Sequence, residues 1–181
     1  MLQQKGYQYR IYPTKQQQQL INQTLGGARF VYIRFLYIRK EAWTNSKTSV
    51  TYKQTSKMLT ELKCEPDYVW LNVVDSTSLQ QALKDLDKGF KNFFAKKAGC
   101  PRYKSKHNHC LSYRSQYVNN NIAIKTGKLK LPKIGLVKIK LSRKFTGRIL
   151  NVTVSRKATG KYFVPCVLRK KLEFFLIMAV K

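Results

Sequence analysis

A chain of 181 residues that sets 36 Lys and Arg against 8 Asp and Glu carries a formal net charge of +28. A solvated surface ordinarily mixes both signs, so this excess implies a polyanionic partner. At 43% hydrophobic and 12% aromatic, the chain has enough apolar side chain to bury a core, which excludes global disorder.

The first predicted element is a strand from Lys5 to Tyr12, with Tyr7, Tyr9 and Ile11 on one face and Gln8 and Arg10 on the other. Pro13 ends it, and Thr14 with Gln17 forms a capping box that starts a helix bearing the apolar stripe Leu20, Ile21, Thr24 and Leu25. Gly26-Gly27 is expected to break or bend this helix, which resumes from Ala28 to about Trp43. Two helices around a Gly-containing turn suggest either a helix-turn-helix or an ordinary helical hairpin. Thr51 and Gln54 make a second capping box, opening a helix to about Leu62 with Met58, Leu59 and Leu62 inward. An apolar connector around Tyr68 to Leu71 follows Pro66. Asp75 or Ser76 then caps what reads as the longest helix, reaching about Ala98. Its Leu79, Ala82, Leu83, Leu86, Phe90, Phe93 and Phe94 keep helical spacing and are assigned to the core. Gly99 and Pro101 terminate it.

The pattern then turns to strands. Turns are expected at Asn119 to Asn121 and Lys125 to Gly127, and strands at Lys128 to Leu131, Leu136 to Leu141, Ile149 to Ser155 and Lys161 to Leu168. The last two are joined through Ala158-Thr159-Gly160. The fold class is therefore α+β: a small antiparallel β-barrel whose first strand precedes a helical insertion.

Charge follows this division. Seven of the eight acids lie between Glu41 and Asp87, whereas Lys88 to Lys171 contains none and carries 23 Lys and Arg. Phosphate backbone is the simplest partner, because Lys and Arg gain by releasing its condensed counterions. An anionic membrane fits less well: there is no long apolar run and no signal-peptide pattern, and the basic region reads as strands. The candidate phosphate contacts are Arg10, Arg102, Lys104, Lys106, Arg114, Lys138 and Lys140. Cys100, His107, His109 and Cys110 match no common zinc spacing, so neither a metal nor another cofactor is expected. With no export signal the thiols are expected reduced in the cytoplasm, at the nucleoid when DNA is bound.

Several segments resemble the OrfB/TnpB family of insertion-sequence transposase-associated proteins. They are Arg10-Ile11-Tyr12-Pro13-Thr14, Gly27-Ala28-Arg29-Phe30-Val31-Tyr32, and Leu79-Gln80-Gln81-Ala82-Leu83-Lys84-Asp85-Leu86. Phe93-Phe94, Gly99-Cys100-Pro101-Arg102-Tyr103, Leu129-Lys130-Leu131-Pro132-Lys133 and Val152-Thr153-Val154-Ser155 extend the match in order, over about Met1 to Lys171. The resemblance implies an RNA-guided DNA nuclease architecture, in which a wedge-like barrel and a helical recognition lobe hold guide RNA and target DNA ahead of a RuvC-type nuclease domain. The barrel would comprise residues 1–13 and 104–171, and the helical lobe residues 14–103. The positions matching the family's readers of a short DNA motif are Tyr52, Ser56, Ser76, Thr77, Gln80 and Asn119; Gln and Asn can pair with adenine edges. The bland reading is that Ser56 and Ser76 cap or coat helices.

Two departures stand out. Ile33 replaces the Asn common in the family, and Leu172 to Lys181 replaces the strand bearing the first nuclease Asp with an apolar tail. Two-metal cleavage needs clustered carboxylates. Asp85 and Asp87 point to different helix faces, and Asp75 reads as a cap. The expected function is thus binding of DNA and structured RNA without cleavage and without a small-molecule substrate. The alternatives are a basic structural RNA-binding protein and a regulator competing with a full-length relative.

Overall fold

In the computed structural model, residues 2–105, 111–143 and 147–171 are described. Strand β1 (Leu2–Tyr12) is followed by helices α1 (Lys15–Ser46) and α2 (Tyr52–Leu62), a 3₁₀ segment (Pro66–Asn72) and α3 (Ser76–Phe94). Strands β2 (Leu111–Gln116), β3 (Ala123–Lys125), β4 (Lys128–Leu131), β5 (Gly135–Lys140), β6 (Arg148–Arg156) and β7 (Tyr162–Lys171) complete the α+β fold.

Both capping boxes form. Gln17 N donates to Thr14 Oγ1 at 3.3 Å while Thr14 N donates to Gln17 Oε1 at 3.1 Å. Thr51 N donates to Gln54 Oε1 at 2.8 Å. The expected break at Gly26-Gly27 does not occur: α1 runs unbroken through both glycines for 32 residues, so α1, not α3, is the longest helix. The reason is tertiary. A Cβ on Gly27 would meet Val74 Cγ2 at 3.3 Å and Leu79 Cδ2 at 3.5 Å, so this glycine admits close packing of the α2–α3 connector rather than turning the chain. That contact offsets the roughly 1 kcal/mol that a mid-helix glycine costs. Helix α1 ends at Lys47, which adopts φ 52° and donates its N–H to Ala42 and Trp43 carbonyls.

The seven strands form one curled antiparallel half-barrel in the order β2-β6-β7-β1-β5-β4-β3. Strand β1 is central, pairing with β7 from Leu2↔Lys171 to Ile11↔Tyr162 and with β5 from Arg10↔Lys140 to Tyr12↔Lys138. Two predicted turns close with left-handed residues: Asn119 and Asn120 (φ 47° and 59°) after β2, and Thr126 and Gly127 (φ 45° and 71°) between β3 and β4. Asparagine and glycine suit such φ > 0 positions.

Alternation assigns one sheet face to the core, with Tyr9, Ile11, Leu129, Val137, Ile139, Val152, Val154 and Val164 buried on it. Helix α3 runs along the outer edge of β2, where Ser115 meets Asp75, Gln116 Nε2 donates to Gln81 Oε1 at 2.8 Å, and Arg114 pairs with Asp85. A sheet edge covered by a helix is withheld from other strands. These contacts span only the first half of α3. Beyond them α3 is tied to α1, where Arg39 Nη2 bonds Asp87 Oδ1 at 3.0 Å and its guanidinium lies 4.7 Å from the Phe90 ring centre. There Phe93 and Phe94 are 38% and 63% exposed, so two aromatic residues assigned to the core lie at the surface, as does Met58 of α2. The helix also stops at Phe94, short of Ala98.

Candidate nucleic-acid interface

The polar face of the sheet gathers the cations. Arg10 lies opposite Lys140, and Tyr12 opposite Lys138, on adjacent strands. Lys138 in turn faces Lys128, and Lys128 faces Lys125. A single cross-strand row, Tyr12-Lys138-Lys128-Lys125, therefore crosses β1, β5, β4 and β3, with neighbouring strands about 4.8 Å apart. Lys130 and the Arg10/Lys140 pair flank this row. All but the half-buried Arg10 are exposed, and the Arg10 guanidinium lies 5.0 Å from the Tyr12 ring centre. Like charges directly opposite one another destabilise a sheet, so a bound polyanion relieves a cost built into the fold.

Among the predicted phosphate contacts, Arg10, Lys138 and Lys140 thus share one surface. Sequence reasoning missed Lys125, Lys128 and Lys130, although Lys128-Leu129-Lys130-Leu131 alternates as Leu136 to Leu141 does. Arg102 is exposed apart from that row. Lys104 Nζ stands 4.3 Å from the Tyr32 ring centre, and desolvation holds its pKa below the ordinary 10.5 against an opposing pull from Asp85. Arg114 pairs with Asp85 while its side chain stays 38% exposed. Lys106 lies outside the described residues, as do His107, His109 and Cys110.

The predicted base-reading residues divide. Tyr52 Oη and Ser56 Oγ, on α2, both donate to Gln80 Oε1 of α3, at 3.0 and 3.1 Å. These three side chains form one polar cluster, half-buried between the helices. Gln80 reaches it because α3 starts at the Asp75 cap, whose carboxylate accepts from Thr77 N at 3.0 Å and Ser78 N at 3.1 Å. Thr77 turns inward: its hydroxyl donates to Asp75 Oδ2 at 2.7 Å and lies 2.9 Å from Ser115 Oγ. Ser76 is exposed and accepts from Lys63 Nζ at 3.2 Å; desolvation lowers the Lys63 pKa. Asn119 occupies the left-handed turn after β2 with its side chain exposed, and no hydrogen bond joins it to Gln80.

Among the described residues no group of three or more His, Cys, Asp and Glu is arranged to hold a metal ion, and no helix is long and apolar enough to cross a membrane. Asp85 and Asp87 are bound separately, to Arg114 and to Arg39 with Lys91.

Comparison with known proteins agrees with the sequence resemblance. Residues 1–48 match the helix-turn-helix domain of OrfB/IS605 proteins. In this structure the matched region is one strand followed by one uninterrupted helix, without an internal turn. The chain is 37% identical over 163 residues to a Streptomyces pristinaespiralis protein named "Putative RNA-guided DNA endonuclease", a match covering 88% of this chain and 40% of that protein. It is 31% identical over 160 residues to the Escherichia coli K12 protein named "Putative RNA-guided DNA endonuclease InsQ", covering 88% of this chain and 39% of the relative. It is also 36% identical over 110 residues to the "Virulence protein VsdF" of Salmonella dublin, covering 56% of this chain and 92% of that protein. The chain thus spans about 40% of the length of the two endonuclease-named relatives. Together the ordered motifs and these matches place it in the OrfB/TnpB family of insertion-sequence, transposase-associated proteins.

Proposed function

We propose that these 181 residues are the nucleic-acid-binding part of a TnpB-like protein, holding structured guide RNA and a DNA target without cutting either. The carrying observation is the Lys138-Lys128-Lys125 row, begun by Tyr12 and with the Arg10/Lys140 pair beside it, an array of cations fixed by strand register without an acid opposite any of them. In this reading the array grips phosphate and fixes register, which carries no sequence information by itself. Base readout of a short motif flanking the target falls to the cluster of Tyr52, Ser56 and Gln80, with Ser76 one turn earlier on α3 and Asn119 contributing from the separate turn after β2. No cleavage is assigned here, because among the described residues Asp75, Asp85 and Asp87 are held by separate cap and arginine partners instead of converging on a metal. The protein acts at the nucleoid, in the cytoplasm.

The test is binding of duplex DNA and structured RNA by the purified chain as salt is raised, followed by incubation with Mg²⁺, guide RNA and matched DNA. Salt-sensitive binding without cleavage is expected. Binding that is flat in salt refutes the phosphate-grip reading, and metal-dependent cutting lost in Asp85→Ala or Asp87→Ala refutes the non-catalytic one.

A further inference from the structure

The last turns of α1, the segment after it and the end of α3 enclose a cleft of about 390 Å³ lined by Trp43, Phe90, Phe93, Phe94, Arg39 and Lys40 among others. That size falls within the rough range of 300–1,000 Å³ usual for ligand sites. Trp43 is 51% exposed and Phe94 63%, so two large aromatic side chains of the lining stay open to solvent. Phe94 tilts at 54° against Phe93 and stacks near-parallel on Phe90, giving one aromatic wall. Cations surround it: Lys47 Nζ lies 5.9 Å from the Trp43 ring centre, Arg39 covers Phe90, and Lys96 and Lys97 follow Phe94 in the chain. The adjacent acid Asp87 is already neutralised by Arg39 and Lys91.

We infer that this cleft takes unpaired bases of single-stranded RNA, stacked between Trp43 and the Phe93/Phe94 wall, with the backbone following the surrounding lysines. The inference rests on the nucleic-acid-binding reading above and adds a second site, distant in kind from the sheet row: aromatic faces for bases instead of cations alone. Stacking on aromatic side chains accepts any base, whereas bases inside a duplex are already stacked and cannot enter. The hydroxyls favour RNA over DNA. Thr44 Oγ1 and Thr48 Oγ1, both lining the cleft, donate their protons to the Lys40 and Ser46 carbonyls and so face a ligand as acceptors. A ribose 2′-hydroxyl can donate to them; deoxyribose cannot.

The experiment measures fluorescence anisotropy of labelled oligouridylate, oligothymidylate and a duplex DNA with the full chain and its variants. Trp43→Ala and Phe94→Ala should each weaken oligouridylate binding about 5- to 150-fold, the range for loss of one stacked base. Both should leave duplex affinity unchanged, which also controls for folding. Trp43→Phe should retain most of the RNA affinity, and in a Trp70→Phe background oligouridylate should quench the fluorescence of Trp43. Equal affinity of Trp43→Ala and the parent chain for oligouridylate overturns the proposal while leaving the sheet reading intact. Preference for oligothymidylate over oligouridylate overturns the RNA assignment. A dimer that Trp43→Ala dissociates, with RNA affinity unchanged, shows the cleft to be a surface between copies and overturns it too. If the parent chain binds no nucleic acid, both readings fall.

Discussion

Ser115 Oγ on β2 donates a 2.7 Å hydrogen bond to Asp75 Oδ2, the carboxylate that caps α3, and so joins the helical layer to the sheet at a buried point. Four donors converge on this carboxylate: the Thr77 and Ser78 amides and the Thr77 and Ser115 hydroxyls. Ser115→Ala leaves the carboxylate one donor short and should cost about 1–3 kcal/mol. Asp75→Ala removes the cap as well and should cost more, with the α3 amides left unsatisfied. Urea denaturation followed by circular dichroism measures both; equal, negligible losses would deny the joint any role.

The two glycines of α1 should behave oppositely. A methyl at Gly26 meets nothing within 4 Å, so Gly26→Ala should stabilise by roughly 0.5–1 kcal/mol through helix propensity. At Gly27 the methyl presses on Val74 and Leu79, and Gly27→Ala should lose that gain or destabilise. Thermal denaturation of the pair distinguishes an unbroken helix from a turn, which would be damaged at both positions.

Nucleic-acid affinity should fall about 10³- to 10⁵-fold between roughly 50 and 200 mM salt if about six to ten phosphates are contacted. Lys138→Ala and Lys140→Ala should each weaken binding to all sequences alike and lower the salt slope by about 1. Filter binding over a salt series gives the slope; an unchanged slope in the double variant removes the sheet row from the interface.

Gln80 should read bases as a donor. Its Oε1 accepts both Tyr52 and Ser56 hydroxyls, leaving the amide NH₂ to meet acceptors such as purine N7, guanine O6 or thymine O4. Gln80→Ala should flatten motif preference by roughly 1–3 kcal/mol at one position. Tyr52→Phe with Ser56→Ala frees Oε1 and should shift preference towards adenine, which needs donor and acceptor together. Selection from a randomised duplex library reports both; unaltered preference in Gln80→Ala refutes the assignment.

Burial raises the Asp87 carboxyl, but hydrogen bonds from Lys91 and Arg39 outweigh it and hold the pKa below 3.8. A carboxylate with a depressed folded pKa stabilises the fold fully above its unfolded value and loses that contribution as pH falls through the folded one. Stability should therefore drop below about pH 4 in the parent chain, and Asp87→Asn should flatten this acid limb while lowering stability at neutral pH by about 1–3 kcal/mol. Urea midpoints across pH test the sign.

The sequence alone determined what depends on neighbours along the chain. Both capping boxes, the strand alternation and the asparagine turn after β2 are local, because each needs only residues a few positions apart. The excess of positive charge likewise required no structure. What only the tertiary structure decided was which local signals a neighbour overrules and which distant residues meet. Gly26-Gly27 looked like a break, yet Val74 and Leu79 pack against Gly27 and keep the helix whole. Phe93 and Phe94 kept helical spacing but extend beyond the part of α3 bound to β2, so periodicity could not reveal their exposure. The row from Tyr12 to Lys125 and the meeting of Gln80 with α2 arise from strand register and helix packing, long-range pairings between residues that no local pattern connects.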